Sequence, residues 1–562
     1  MAHSSSIFSR VPIELPNRSG FDMSHENLGT ATCGTLVPVL CDELLPNDTV
    51  SLGTNFQVQL PPMATDFYGR VDFVLEAFFV PARLLWGGWQ SFMTHPTSQP
   101  QYPEGTPVEG KSRFVPQVKI SGNYLQSGSL SDYLGLKSFS GQEQTEKLAS
   151  VNALPFLAYH RIYDDWYRDS RIQSPLFYRP LPSMQSTQDP SNPDGNIGGS
   201  NVKRERMTVA NVPYFAGGVD MPTEIIEQQV GTPFVGDQID MTFPDGVKLT
   251  ELRQRNFSKD YYTSASPLPQ AGQPSELEFE VDTVAKSGKF SIADLRAANS
   301  LQKWMERNNI AGYRYSDQIY AQYGIYPSDA IMNKCVYLGR HVQNVYTRSV
   351  FQTATPQPSE ISPGNRFHTV GSKFGSSQAI GEGSLIDNFR VTEHGFLVVL
   401  ASLVPHAYYS TGSRRYLRRS VVGDYAFPLL SGMGDQAIYK SELTSKAVDA
   451  NEVFGYTDLY AEYKYHDDEV HGLLRDGDSL ESFALQRSFT DSPDLSSSFL
   501  QIPITYLDQV FVANQRTIGF SCWYDIYFPY KKISTLPEYS LPTLADLKHV
   551  HTGYLSRGGK RL

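Results

Sequence analysis

Two stretches near opposite ends of the chain carry the same two-residue hydrophobic period, so the sheet that holds them must be assembled from distant sequence. In Arg70 to Pro81, Val71, Phe73, Leu75, Ala77 and Phe79 share one face, while Asp72 and Glu76 mark the other until Phe78 breaks the polarity. Near the C-terminus Ile518, Phe520, Cys522, Tyr524, Ile526 and Phe528 alternate in the same way. Phe56, Val58 and Leu60 form a shorter strand ending at Pro61-Pro62, and the apolar run from Gly395 to Leu403 predicts a strand buried on both faces. The pattern predicts a mainly β fold.

Helices fall in the connections. Ser291-Ile-Ala-Asp294 resembles a capping box, with Ile292, Leu295, Ala298, Leu301, Trp304 and Met305 recurring behind it at helical spacing. A second helix is predicted from Pro155 to Asp169, with Tyr159, Ile162, Tyr163, Trp166 and Tyr167 on one side. From about Leu181 to Val247 the texture is that of loops, and the glycine-rich segment Gly371 to Gly383 also reads as a loop. The 33 Tyr, 31 Phe, 43 Gly and 36 Pro suit twisted strands separated by many turns. Length alone, at 562 residues, suggests three or four domains, and no fixed-period repeat supports a solenoid or fibre.

A net charge of -11 excludes a surface built throughout to coat nucleic acid, leaving local patches for any such contact. Cys33, Cys41, Cys335 and Cys522 are too scattered for a CxxC site and too few for a disulfide scaffold. The N-terminus lacks the apolar core of a secretory signal and the longest apolar run is too short to span a bilayer, so cytoplasmic folding without membrane insertion is expected.

No sequence pattern specifies an active site, a metal or a cofactor. In HDDEVH, His466 and His471 fall five apart and would not share a helix face, so a solvated loop is favoured over a metal site. Glu393-His394 precedes the apolar run without a nucleophile in context. Asp164-Asp165 and Asp467-Asp468 could be paired acids of a glycosidase, and aromatic side chains could serve as sugar platforms. A carbohydrate-binding or glycoside-hydrolysing β-sandwich is therefore the alternative reading.

Two basic clusters interrupt the acidic total. Arg414, Arg415, Arg418 and Arg419 surround Tyr416 in RRYLRR, and Arg557, Lys560 and Arg561 lie in the last residues. Basic residues interleaved with an aromatic suit single-stranded nucleic acid; equally, RRYLRR can pair with acids of the same chain or of a neighbour. In EAFFVPARLLWGGWQSF, Phe78 points away from the core-facing register. Trp86 and Trp89 lie past Pro81, where an insertion or a neighbouring subunit would have to cover them. Phe78, Trp86 and Trp89 are thus candidate interface aromatics.

In chain order, SHENLGTATCGTLVPVLCDELLPNDTVSL, FFVPARLLWGGWQSFM, RIYDDWYRD, DYYTSASPLPQAG, LRAANSLQKWMERNNIAGYRYSDQIYAQYGI, TEHGFLVVLASLVPHAYYSTGSRRYLRR, VFGYTDLYAEYKYH and IGFSCWYDIYFPY resemble the major capsid protein of microviruses, particularly the gokushovirus-like branch. The resemblance spans about Ser24 to Leu541. It implies one capsid domain, an eight-stranded antiparallel jelly roll with long loop and helix insertions, in place of the several domains suggested by length. It further implies an N-terminal arm over about 1–23, strands spread over about 24–180 and 253–540, a threefold protrusion over about 181–252 and a basic tail over about 542–562. The function implied is self-assembly of about sixty copies into an icosahedral virion enclosing circular single-stranded DNA. The implied partners are a small basic DNA-packaging protein, the genome and a host surface receptor, with assembly in the bacterial cytoplasm.

Overall fold

The computed structural model describes residues 18–63, 67–85, 89, 93, 115, 117–118, 127–136, 151–176, 247–269, 320, 323–324, 328–329, 333–351, 373–431, 434–447, 449–489, 491–511 and 519–538. The predicted helix after Ser291 lies outside these residues, as does most of the segment expected to protrude. The described strands are β1 (Ser19–Asp22), β2 (His25–Ala31), β3 (Val37–Leu44), β4 (Thr49–Gln59), β5 (Val71–Pro81), β6 (Gln117–Val118), β7 (Val151–Asn152), β8 (Val336–Asn344), β9 (Tyr346–Phe351), β10 (Lys373–Arg390), β11 (Gly395–Pro405), β12 (Asp435–Tyr439), β13 (Val453–Asp458), β14 (Cys522–Phe528) and β15 (Tyr530–Ser534).

Two antiparallel sheets form a sandwich. One has seven strands, with β2, β14, β4, β10 and β9 side by side and with β15 and β1 extending β14 and β2. β14 and β15 pair with successive parts of β4 and behave as one strand bent at Pro529. The other sheet has four strands in the order β3, β11, β5, β8. Seven strands in one sheet face four in the other, consistent with a jelly-roll sandwich. The strands come from both ends of the chain, as the shared period requires.

The alternation places the core. Val50, Leu52, Phe56 and Val58 of β4 and Cys522, Tyr524, Ile526 and Phe528 of β14 point between the sheets, against Val71, Phe73, Leu75, Ala77 and Phe79 of β5. The opposite faces of β5 and β11, with Phe78, Val80, Phe396, Val398 and Leu400, pack beneath a helix at Leu154–Ile162 that continues as a π-helical turn at Tyr163–Tyr167. Every residue of β5 and β11 is consequently buried. Each large aliphatic or aromatic side chain there contributes about 1.5–3 kcal/mol.

Two readings need correction. The segment read as a loop from Gly371 to Gly383 lies largely within the 18-residue strand β10, paired with both β4 and β9. Gly381 is opposite Phe56, whose ring fills the space a side chain would take. The polar side of β5 also does not face solvent: Glu76 is buried, accepts a hydrogen bond from Tyr167 Oη at 2.6 Å and pairs with Arg255 Nη1 at 2.7 Å. This ion pair ties the helix and the 247–269 segment to the centre of the second sheet. Losing one partner would strand a buried charge, at a cost of about 3–5 kcal/mol.

Candidate functional site

The four arginines of RRYLRR sit on a short 3-10 turn at Arg415–Arg418 and its flanks. All four are half-buried while Tyr416 and Leu417 project into solvent. Arg414 Nε pairs with Glu469 Oε1 at 2.5 Å, and Arg415 Nη1 with Glu442 Oε1 at 3.3 Å. Arg418 Nη2 donates to the Ala450 carbonyl at 2.7 Å and its guanidinium lies 4.3 Å from the centre of the Tyr439 ring. Arg419 Nη2 pairs with Glu462 Oε1 at 2.8 Å and lies 4.5 Å from the Tyr463 ring centre. The turn thus spends its positive charge on carboxylates, carbonyls and rings of its own subunit.

This geometry joins the two charged motifs. Arg414 bridges to Glu469 and lies 3.2 Å from His466 Nδ1, and residues of RRYLRR and HDDEVH together line one cavity of about 410 Å³. Its floor includes Tyr262 and Tyr409, part of a third apolar cluster with Ile438, Leu443, Phe454 and Phe499. Burial pushes the Glu442 carboxyl up from its ordinary range, against the opposing pull of Arg415. Asp467 is pushed up to about 7, by burial first and then by the charge of Asp260, with Glu469 adding to the effect and Arg414 opposing it. Asp260 is held by Tyr409 Oη, Thr263 Oγ1 and the amides of Tyr262 and Thr263. Among the described residues, no group of three or more His, Cys, Asp or Glu is placed to hold a metal ion.

The other candidate acids have structural partners. Asp164 pairs with Arg168 at 2.7 Å and Asp165 with Arg161 at 3.0 Å, both four residues apart on the helix. Asp165 Oδ2 also accepts from the Cys335 amide, which fixes the helix end against the start of β8. Glu393 pairs with Arg83 at 2.7 Å, and the His394 ring lies edge-on to Trp89 at 5.8 Å. The four cysteines are unpaired, as their spacing predicts.

The aromatic candidates divide. Phe78 is 1% exposed, packed against Trp166, Tyr167 and Tyr337, so its cover comes from the subunit itself and no surface remains for a neighbour. Trp89 is half-buried against the cluster beneath the helix. Trp86 and the tail residues Arg557, Lys560 and Arg561 lie outside the described residues.

A two-sheet antiparallel sandwich with both faces of β11 covered has the architecture of a jelly-roll subunit. Comparison with known proteins agrees: residues 9–544 match the phage family described as "Capsid protein (F protein)". The chain belongs to this phage capsid protein family. Capsid protein VP1 of Chlamydia phage 1 is 27% identical, over 96% of this chain and 97% of the relative. Capsid protein VP1 of Bdellovibrio phage phiMH2K is 23% identical over 96% and 98%, and that of Spiroplasma virus 4 is 22% identical over 94% and 95%. The capsid protein is a structural subunit, not an enzyme, and it assembles into a multi-copy shell.

Sequence reasoning missed Glu442 and Glu462, and the pairing of Glu469 of HDDEVH, which together hold the arginine turn of this capsid protein. Glu442, Glu462 and Glu469 lie 27, 43 and 55 residues from the arginines they meet. Arg253 was missed as well. It is fully buried, its Nε donates to His160 Nδ1 at 2.9 Å, and its amide donates to Tyr159 Oη at 2.7 Å. No local spacing signals either set.

Proposed function

We propose that this subunit builds the closed icosahedral shell of a small single-stranded DNA phage, with about sixty copies held by symmetric contacts. The observation that carries the reading is the family match across residues 9–544 of a chain folded as a two-sheet sandwich. The phage sources of its relatives support a bacterial host, with assembly in the bacterial cytoplasm.

A subunit of net charge -11 repels its genome at long range. A small basic packaging protein offsets that charge in this reading. Arg414, Arg415, Arg418 and Arg419 of the turn already face partners in the chain, so direct DNA contact falls to Arg557, Lys560 and Arg561. The segment 181–252 forms the threefold protrusion and meets the host receptor. Exchanging that segment for a relative's should shift host range while particles still form; unchanged host range with normal assembly would remove the receptor role.

The electrostatic part is tested on purified particles across a salt series, with nuclease sensitivity reporting genome retention and sedimentation reporting the shell. Genome release at salt concentrations that leave the shell intact is expected. Loss of both together would contradict it.

A further inference from the structure

We infer that the segment 414–431 is a preformed docking strap whose apolar outer face seats on a second copy of this chain; the inference rests on the reading of the chain as a shell subunit. Eight large apolar side chains between residues 416 and 430 are exposed. Leu429 is 94%, Val422 76% and Leu417 70% exposed, an accumulation unlike the scattered apolar residues of an ordinary surface. At roughly 150–250 Å² for an aromatic side chain and less for Leu and Val, these fractions amount to several hundred Å², comparable with the roughly 800 Å² that each partner contributes to a standard specific interface.

Three features favour a protein partner of the same kind over nucleic acid. The outward side chains are mainly Leu, Val and Phe with two Tyr, which bring no positive charge to a phosphate, while Arg414, Arg415 and Arg419 beneath are turned to Glu469, Glu442 and Glu462. Arg414, Arg415 and Arg419 are paired with carboxylates inside the subunit and Arg418 is held by the Ala450 carbonyl, Asn451 Oδ1 and the Tyr439 ring, so covering the strap leaves only Arg418 without an opposite charge. The strap is also held before docking: Arg415 Nη1 donates to the Ala437 carbonyl, Arg418 to the Ala450 carbonyl, and Asp424 Oδ2 accepts from the amides of Ser420 and Val421. A prefixed strip loses little conformational entropy on association. Shell proteins must cover apolar surface with their own copies, and this strip is the described segment in which exposed apolar side chains are most concentrated.

The test places a thiol on the strap. In a Leu429→Cys variant that also carries Cys41→Ser, because Cys41 is only partly buried, maleimide labelling is timed on unassembled subunits and on purified particles; Cys33, Cys335 and Cys522 are buried and give a slow background. Labelling in particles is expected to be slower by roughly tenfold or more, because an interface core excludes solvent. In parallel, Leu429→Asp should keep the circular dichroism spectrum and melting of the subunit while abolishing particles in sedimentation. Equal labelling rates in subunits and particles would overturn the strap as an interface, as would protection that is lost once the particles are emptied of genome, and labelling decides if the two variants disagree. A wild-type chain that forms no particles would instead overturn the shell reading, and the strap with it.

Discussion

The ring of Phe56 lies across the backbone of Gly381, its partner on the neighbouring strand, so closely that a Cβ on the glycine would come within 2.5 Å of the Phe56 Cζ atom. Phe56 in turn packs on Phe73 across the sandwich, with ring centres 5.2 Å apart. The clearance at Gly381 therefore sets how the two sheets interlock.

Gly381→Ala should destabilise the subunit by about 1–3 kcal/mol, because Phe56 must leave its well-packed position. Gly20→Ala, where nothing lies within 4 Å of the added carbon, serves as the control and should change little. Urea unfolding of unassembled subunits checks both, and equal midpoints for the two variants would contradict the close packing.

His160 predicts a pH dependence. It is buried, accepts from Arg253 and donates from Nε2 to the Leu249 carbonyl at 2.9 Å. Burial first, and then the Arg253 charge, hold its pKa well below the ordinary 6.5. The unfolded chain thus takes up this proton more readily, so the related stability is present above about pH 6.5 and declines as the pH falls below it. His160→Gln, which keeps one acceptor and one donor, should cost about 1–3 kcal/mol at pH 8 and show a shallower loss between pH 6.5 and 5. An unchanged slope would mean that another group carries the effect.

Asp467 acts in the opposite direction. Its folded-state pKa of about 7 lies above the ordinary 3.8, so the unfolded chain releases the proton first and stability falls as the pH rises through this window. Asp467→Asn should leave the melting temperature nearly unchanged at pH 4 and raise it progressively up to pH 8. A constant difference at all pH values would show that charge is not the cause.

The visibility of these features in the sequence followed the distance between partners. β5 and β14 could be read because their period is local, β11 because its apolar run is continuous, and the helix under the second sheet because its apolar residues recur at helical spacing. β10 could not, because its glycines make room for side chains of β4 and β8 that are remote in the chain. The burial of Glu76 was hidden for the same reason, since Tyr167 and Arg255 lie 91 and 179 residues away. RRYLRR displayed its charges but not their direction, which is set by acids beyond any local window.

Trp89 is half-buried in the subunit, packed toward the cluster beneath the helix and beside His394. Trp89→Ala should lower particle yield, with a subunit destabilisation of up to about 3–5 kcal/mol if the ring behaves as a core residue. Sedimentation and subunit melting together check this; unchanged assembly and unchanged stability would show the ring to be incidental.

The most direct measurement is electron microscopy of the purified wild-type protein, alongside sedimentation of the same sample. The account predicts closed particles of uniform size built from this chain. Soluble monomers that bind glycans and never close into shells would contradict it.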